Sequence, residues 1–300
     1  MKIRDLDEDA FLKILLPGLP SGRNLIVGPG DDCAVVIAPG ASELLLLKTD
    51  CIVEGVHYRP EEDPVRVGRK AICRALSDIA AMGGEPRHAL VNIFSPPDVP
   101  VAYWKSFYEG LSSAAEQYAV GVVGGETSRA PTAAVSVSLI GHVERHRLLL
   151  RSTGKPGDRL IVTGSLGGSL SGKHLDFEPR IAEGRWLGAH GHATSMMDLS
   201  DGLAADLPRL AAASGCGFTI DSDSIPRTRG RTVHQALTDG EDYELLFTSP
   251  PRFVERLLRG WKTAFPKVRL TEIGHLCEPG ASTTAMPRGF DHFFSGLPDQ

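Results

Sequence analysis

No Cys-x-x-Cys pair occurs in the 300 residues, and the five cysteines, at 33, 51, 73, 216 and 277, are odd in number and widely spaced. They offer neither a disulfide framework nor a zinc site, so reduced, mostly buried thiols are expected. Blocks of lysine and arginine are also missing, and the net charge is -5. Without a basic stripe to follow a phosphate backbone, nucleic acid is not expected as a partner. No apolar run approaches a membrane span, and Met1 to Asp9 is too acidic for a signal or transit peptide. The expectation is a cytoplasmic chain with no membrane partner. Neither Gly-x-Ser-x-Gly nor His-Glu-x-x-His is present and the histidines are scattered, which leaves acyl transfer and zinc hydrolysis with little support.

What is there suits a soluble α/β chain of two domains, with 42% hydrophobic and 23% charged residues. Apolar spacing predicts a short leading helix over 5–16 and strands over 24–27, 33–38 and 43–48, paired antiparallel through turns such as Pro39-Gly40. A helix over 65–82 stops at Gly83-Gly84, a strand covers 88–94, and a second helix covers 101–118. Strands over 119–123 and 133–143 complete an α+β layer, taken as domain one, residues 1–145. The basic, then Gly/Pro-rich stretch 145–158 marks the crossing into an α/β domain, residues 146–300. That half reads as a strand over 159–163, a helix from Met196 to about Ser214 containing an awkward Pro208, a strand over 217–220, a helix over 252–260 and a strand over 268–274. The tail Gly289 to Phe293 closes it.

Carboxylates recur at the ends of apolar runs. Asp31 and Asp32 sit on a Gly/Pro turn, Asp50 follows Leu44 to Leu47, Asp78 lies in a helix, Glu126 follows Gly124-Gly125, and Asp198 and Asp201 follow Met196-Met197. Each alone has a plain reading: a turn that bonds its own backbone, an i,i+4 pair of Asp78 with Arg74, or an N-cap at Ser200 or Asp201. Together they point to metal ions, because acids driven against apolar surface are costly unless a cation compensates them. Thr238 to Glu244 adds a further acidic run before an apolar strand, with a solvated turn as the alternative.

Gly167 to Lys173 matches most of a phosphate-binding loop directly after a strand, but His174 stands where a hydroxyl should reach Mg²⁺. A neutral imidazole is a poor ligand for that hard ion, so a P-loop is not expected. Many carboxylates and Gly-rich turns, with no general base, suit phosphoryl transfer to an acceptor that is already anionic. A phosphate monoester, with a second pKa of about 6, is such an acceptor.

The segments GPGDDCAVV, KTDCIVEGVH, AICRALSDIAAMGGEP, VVGGETSRAP, RSTGKPGD, MMDLSDGLAADL, DGEDYELLFT and GFDHF, in this order, resemble the thiamine-monophosphate kinase family of the PurM/AIR synthetase-like superfamily. The resemblance covers nearly the whole chain and implies a two-domain fold whose N-terminal sheets join into a barrel in a homodimer, with a C-terminal α/β domain behind. It implies ATP-dependent phosphorylation of thiamine monophosphate to thiamine diphosphate with several Mg²⁺ ions. Carried over, Asp32, Thr49, Asp50, Asp78, Asp198 and Asp201 match magnesium ligands, with Asp31 adjacent and Glu126 in place of an Asp. Tyr108, Gly125, Arg151 and Ser200 match ATP contacts, and His57, Glu241 and Phe290 match substrate contacts. Lys48 departs from the small hydroxyl residue usual there, the second Gly before Glu241 is absent, and the segment between Gly167 and Pro179 is short. Lys48 cannot ligate Mg²⁺, so it is a possible surrogate cation. A different substrate within the same superfamily, or a non-catalytic nucleotide-binding dimer, is the alternative.

Overall fold

A computed structural model describes residues 2–20, 22–38, 40–281 and 284–290. Pro39 of the expected Pro39-Gly40 turn and Asp291 to Phe293 of the tail lie outside the described residues. In chain order the first half contains α1 (Glu8–Leu15), β1 (Leu25–Val27), β2 (Ala34–Ile37), β3 (Glu43–Val53), α2 (Pro64–Ala81), β4 (Glu85–Ser95), α3 (Val101–Gln117), β5 (Gly121–Gly124), β6 (Thr127–Arg129) and β7 (Ala134–Glu144). The second half contains β8 (Arg159–Thr163), α4 (Lys173–Asp176), α5 (Ile181–His190), β9 (Met196–Asp198), α6 (Leu203–Ala213), β10 (Gly217–Ile220), α7 (Val233–Thr238), β11 (Leu245–Ser249), α8 (Pro251–Ala264) and β12 (Leu270–Cys277).

The first seven strands form one sheet in the order β1-β2-β3-β7-β4-β5, with β6 also on β4. Its pairings are antiparallel except that β5 and β6 run parallel to β4. The other five strands form an antiparallel sheet ordered β10-β12-β8-β11-β9.

Helix α2 is what the two halves share. Asp63 caps it by accepting from the Val65 amide at 3.0 Å, Pro64 opens it, and Gly83, with φ of 70°, turns the chain out of it. Between these signals the helix is buried almost all round. Ile72, Leu76 and Ile79 pack into the core of the first sheet, while Ala80 and Ala81 belong to a cluster with Ile161, Leu187, Phe247 and Trp261 of the second half. Full burial of Ile72, Leu76 and Ile79 stabilises by about 1.5–3 kcal/mol each. Helix α3 crosses α2 so closely that a Cβ at Gly68 would fall 1.9 Å from the Phe107 carbonyl oxygen, and one at Gly110 would fall 1.7 Å from that of Val65.

Three expectations change. Met196 to Asp198 is a strand rather than the opening of a helix, so Asp198 sits at a strand end, and the helix begins only at Leu203. Pro208 does not split α6, which runs through it, because burial of Leu203, Leu207, Leu210 and Ala211 outweighs the one lost backbone bond. Strand β3 runs five residues past its expected end, carrying Thr49 and Asp50 into the sheet. Among the described residues no helix is long and apolar enough to cross a membrane.

Candidate active site

Strand alternation decides which β3 side chains face α2. Leu44, Leu46, Lys48, Asp50 and Ile52 fall on the inner face; Leu45, Leu47, Thr49 and Cys51 fall on the outer. Asp78, on the last turn of α2, meets Asp32 from the turn before β2 and Asp198 from the end of β9. These three buried carboxylates each offer an oxygen within 4.8 Å of the others.

Fixed groups already engage part of this cluster. Lys48 Nζ donates to Asp78 Oδ1 at 2.6 Å, Arg151 donates to Asp32 Oδ1, and Ser77 Oγ donates to Asp198 Oδ2 at 2.7 Å. Asp32 Oδ2 is buried with no partner. Burial, reinforced by Asp32, pushes Asp198 up to about 7, and burial with its acidic neighbours lifts Asp78 well above the usual carboxylate range despite Lys48. Burial alone would depress the Lys48 ammonium, but Asp78 and Asp50 outweigh it and hold the group protonated. Crowded oxygen donors that resist ionising together are what a hard divalent cation would relieve. The donor set therefore fits Mg²⁺.

The i,i+4 pair of Arg74 with Asp78 does not form. Arg74 instead points to Asp50, with Nη2 3.2 Å from Oδ1, and to Glu241, 3.9 Å away. One turn earlier Lys70 is wholly buried; its ammonium donates to the His57 carbonyl and to Glu241 Oε2 at 2.6 Å, and His174 Nδ1 lies 2.7 Å from it. Burial opposes the Glu241 charge, yet His174, Lys70 and Arg74 bring it down to about 2. Glu241 and Tyr243 both hold φ near +50°, a left-handed conformation that side-chain-bearing residues seldom adopt. Above them opens a cavity of about 260 Å³ whose walls include His57, Arg74, His174, Glu241, Tyr243 and Phe290. The three substrate contacts implied by resemblance thus share one cavity. Lys70, Arg74 and Tyr243 are not among the site residues read from the sequence; for Arg74 the four-residue spacing back from Asp78 was the available signal.

The remaining residues are placed as follows. Asp31 accepts from the Arg151 amide at 3.1 Å, and burial together with Asp32 raises it to about 6. Ser200 and Asp201 line the cavity; their amides donate to buried Asp206, and Arg209 engages the Asp201 carboxylate. Asp201 is thus held at the cavity wall, outside the three-acid cluster. Thr49 lies on the outer face beside Ser136 and Ser138, and exposed Glu126 accepts from the Thr127 amide, so neither side chain joins the buried cluster. At Gly125 a Cβ would fall 1.8 Å from the Val91 carbonyl oxygen, which only glycine avoids. Tyr108 is half-buried on α3, edge-on to Phe107. The loop that imitates a P-loop is occupied by its own chain: the Gly167 amide donates to Asp242, the Gly168 amide donates to Asp239, and Lys173 donates to the Ser165 carbonyl.

The sequence pattern of AIR synthase related protein matches the chain twice, its N-terminal domain over residues 30–143 and its C-terminal domain over 170–280. Thiamine-monophosphate kinase of Rhodopirellula baltica is 37% identical over 81% of this chain and 82% of its own. That of Aquifex aeolicus is 34% identical over 98% of this chain and 100% of its own. A solved structure described as AaThiL complexed with AMPPCP and TMP superposes with a TM-score of 0.84 at 33% identity, covering 97% of this chain and 99% of the other.

Proposed function

This chain belongs to the thiamine-monophosphate kinase family, and we propose that it carries the γ-phosphoryl of ATP directly onto the phosphate of thiamine monophosphate, giving thiamine diphosphate and ADP. The observation that carries this reading is the adjacency of a cavity and a buried acid cluster along one helix. Lys70, Arg74 and Asp78 follow one another at four-residue spacing, roughly 6 Å apart along the axis. The cavity wall therefore passes straight into the cluster.

In this reading the cavity takes the thiamine part of the acceptor, with the anionic Glu241 and the Phe290 ring beside a cationic thiazolium or the pyrimidine. Tyr108, Gly125, Arg151 and Ser200 hold ATP, Arg151 through a guanidinium fork suited to phosphate oxygens. Asp32, Asp78 and Asp198 would hold Mg²⁺, with Asp31 and Asp50 beside them and Asp201 at the cavity wall. Magnesium held there would neutralise phosphate charge as the two anions approach. No side chain has to remove a proton, because the acceptor is already ionised near neutral pH. The test is acceptor dependence: ADP release should require thiamine monophosphate and should not be supported by thiamine, which lacks the nucleophilic phosphate. ADP release indifferent to the acceptor would remove the reading.

Lys48 enters as a resident cation. Its contact with Asp78 and its inner-face position support the view that it stands where a further divalent ion would otherwise sit. Replacing it in Lys48→Ser is expected to raise by one the number of Mn²⁺ ions bound per protomer in the presence of ATP, counted by paramagnetic resonance titration. Unchanged or reduced occupancy would remove that role.

A homodimer is part of the same proposal. The outer face of the first sheet exposes Leu47, Leu90, Val123 and Ile140 around the sites of Thr49 and Ser138, an apolar surface that a second copy would cover. We take the domain division at residues 145/146, between the two sheets, and use of ATP supports a cytoplasmic location.

A further inference from the structure

We propose that Arg74 binds the phosphate of the acceptor where the cavity meets the acid cluster. This rests on the proposed reaction for the identity of the acceptor, but the case for an anion at this spot is made by the side chain itself. The Arg74 side chain is 11% exposed, and its Nε and Nη1 are buried with no hydrogen-bond partner. The Tyr243 hydroxyl, also on the cavity wall, is buried and unpartnered as well. Buried N–H groups of a guanidinium left unsatisfied are costly, and a charged one is seldom tolerated without a function.

The surroundings explain why the spare donors remain free. Asp50 meets Arg74 only at Nη2, and Glu241, which would otherwise close on it, is held away by Lys70 and His174, leaving 3.9 Å between them. The buried lysine thus keeps Glu241 from neutralising the arginine. Across Asp50 lies Lys48 on Asp78, so an anion leaving the cavity toward the cluster would meet Arg74 first. Its unpartnered Nε–H and Nη1–H donors are suited to the oxygens of a phosphate group. The thiazolium and pyrimidine carry no such group. Arg74 therefore distinguishes the monophosphate from the alcohol.

Calorimetric titration of Mg²⁺-containing, ATP-free protein with thiamine monophosphate and with thiamine tests this. Arg74→Met should weaken the monophosphate by about 10- to 100-fold, the effect of losing charge-assisted bonds to one anion, and leave thiamine within about twofold. Arg74→Lys should fall between and serves as the comparison if Arg74→Met does not fold. Equal weakening of both ligands, or of neither, would reduce Arg74 to a wall of the cavity and overturn the proposal. If the wild type binds no thiamine monophosphate, the proposed reaction fails on its own account. Arg74 is then judged by the ³¹P line width of inorganic phosphate, where broadening by wild type that Arg74→Met abolishes supports it. Identical line widths in the two proteins overturn it.

Discussion

Asp78→Asn is expected to lower turnover by about 10²–10³-fold, the scale of removing one preorganised electrostatic contact to transferring phosphate, while leaving the fold intact. The carboxylate is central to the buried cluster and also holds Lys48. Two effects on stability oppose each other in the variant. Lys48 loses a carboxyl acceptor 2.6 Å away, but the crowding of buried acids with Asp32 and Asp198 is relieved, and Asp50 still faces the ammonium. Asparagine keeps the shape and can still accept from Lys48. Thermal unfolding within a few degrees of wild type beside a collapsed kcat is the expected pair of results; more than a tenth of wild-type activity with ordinary Mg²⁺ dependence would show that Asp78 is not part of the reacting centre.

The second large effect concerns assembly. Leu90 is 45% exposed in the middle of β4, on the same outer face as Ile140 and Leu47. If a two-fold axis brings this face onto itself, Leu90→Asp places two carboxylates in the interface for one substitution per chain. At about 3 kcal/mol for each desolvated, unpaired charge the cost is ~6 kcal/mol, or roughly 10⁴-fold in the dimer dissociation constant. Light scattering at micromolar concentration should give the dimer mass for wild type and the protomer mass for Leu90→Asp. A wild-type protomer mass, or a variant that still dimerises, would contradict the assignment of this face.

The elements that were legible in the sequence are those with strong periodicity and clear stops. Helix α2 has an Asp-Pro start, a dense apolar pattern and a Gly-Gly end; β8 and β10 match the residues expected of them. Met196 to Asp198 was misread because every residue there is buried, so neither period shows, and a strand cannot be told from a helix by pattern. Helix α5 was missed because Gly184 and Gly188 thin its pattern; the six-residue α7 was missed too, its only local signal being the Thr232/Gln235 capping box.

The candidate site divides in the same way. Acids beside glycine turns are local features, and Asp32, Asp78 and Asp198 do come together. Lys70 was invisible as a site residue because its partners, His174 and Glu241, are 104 and 171 residues away. Strand alternation separates Thr49 from Lys48 and Asp50, a distinction available only once β3 is seen to continue through them. Resemblance supplied the roles; the fold gathers Asp32, Asp78 and Asp198 in a buried cluster and His57, Glu241 and Phe290 on one cavity wall, with Arg74 and Asp78 of α2 between them.

The central claim is that phosphate, rather than any other group, is the acceptor at that junction. It is tested most directly by incubating the purified protein with ATP, Mg²⁺ and thiamine monophosphate and following the mixture by ³¹P nuclear magnetic resonance with chromatographic identification of the products. Thiamine diphosphate appearing in equal amount to ADP, with no inorganic phosphate released, is the predicted result. ADP formed with inorganic phosphate while thiamine monophosphate stays unchanged would contradict it.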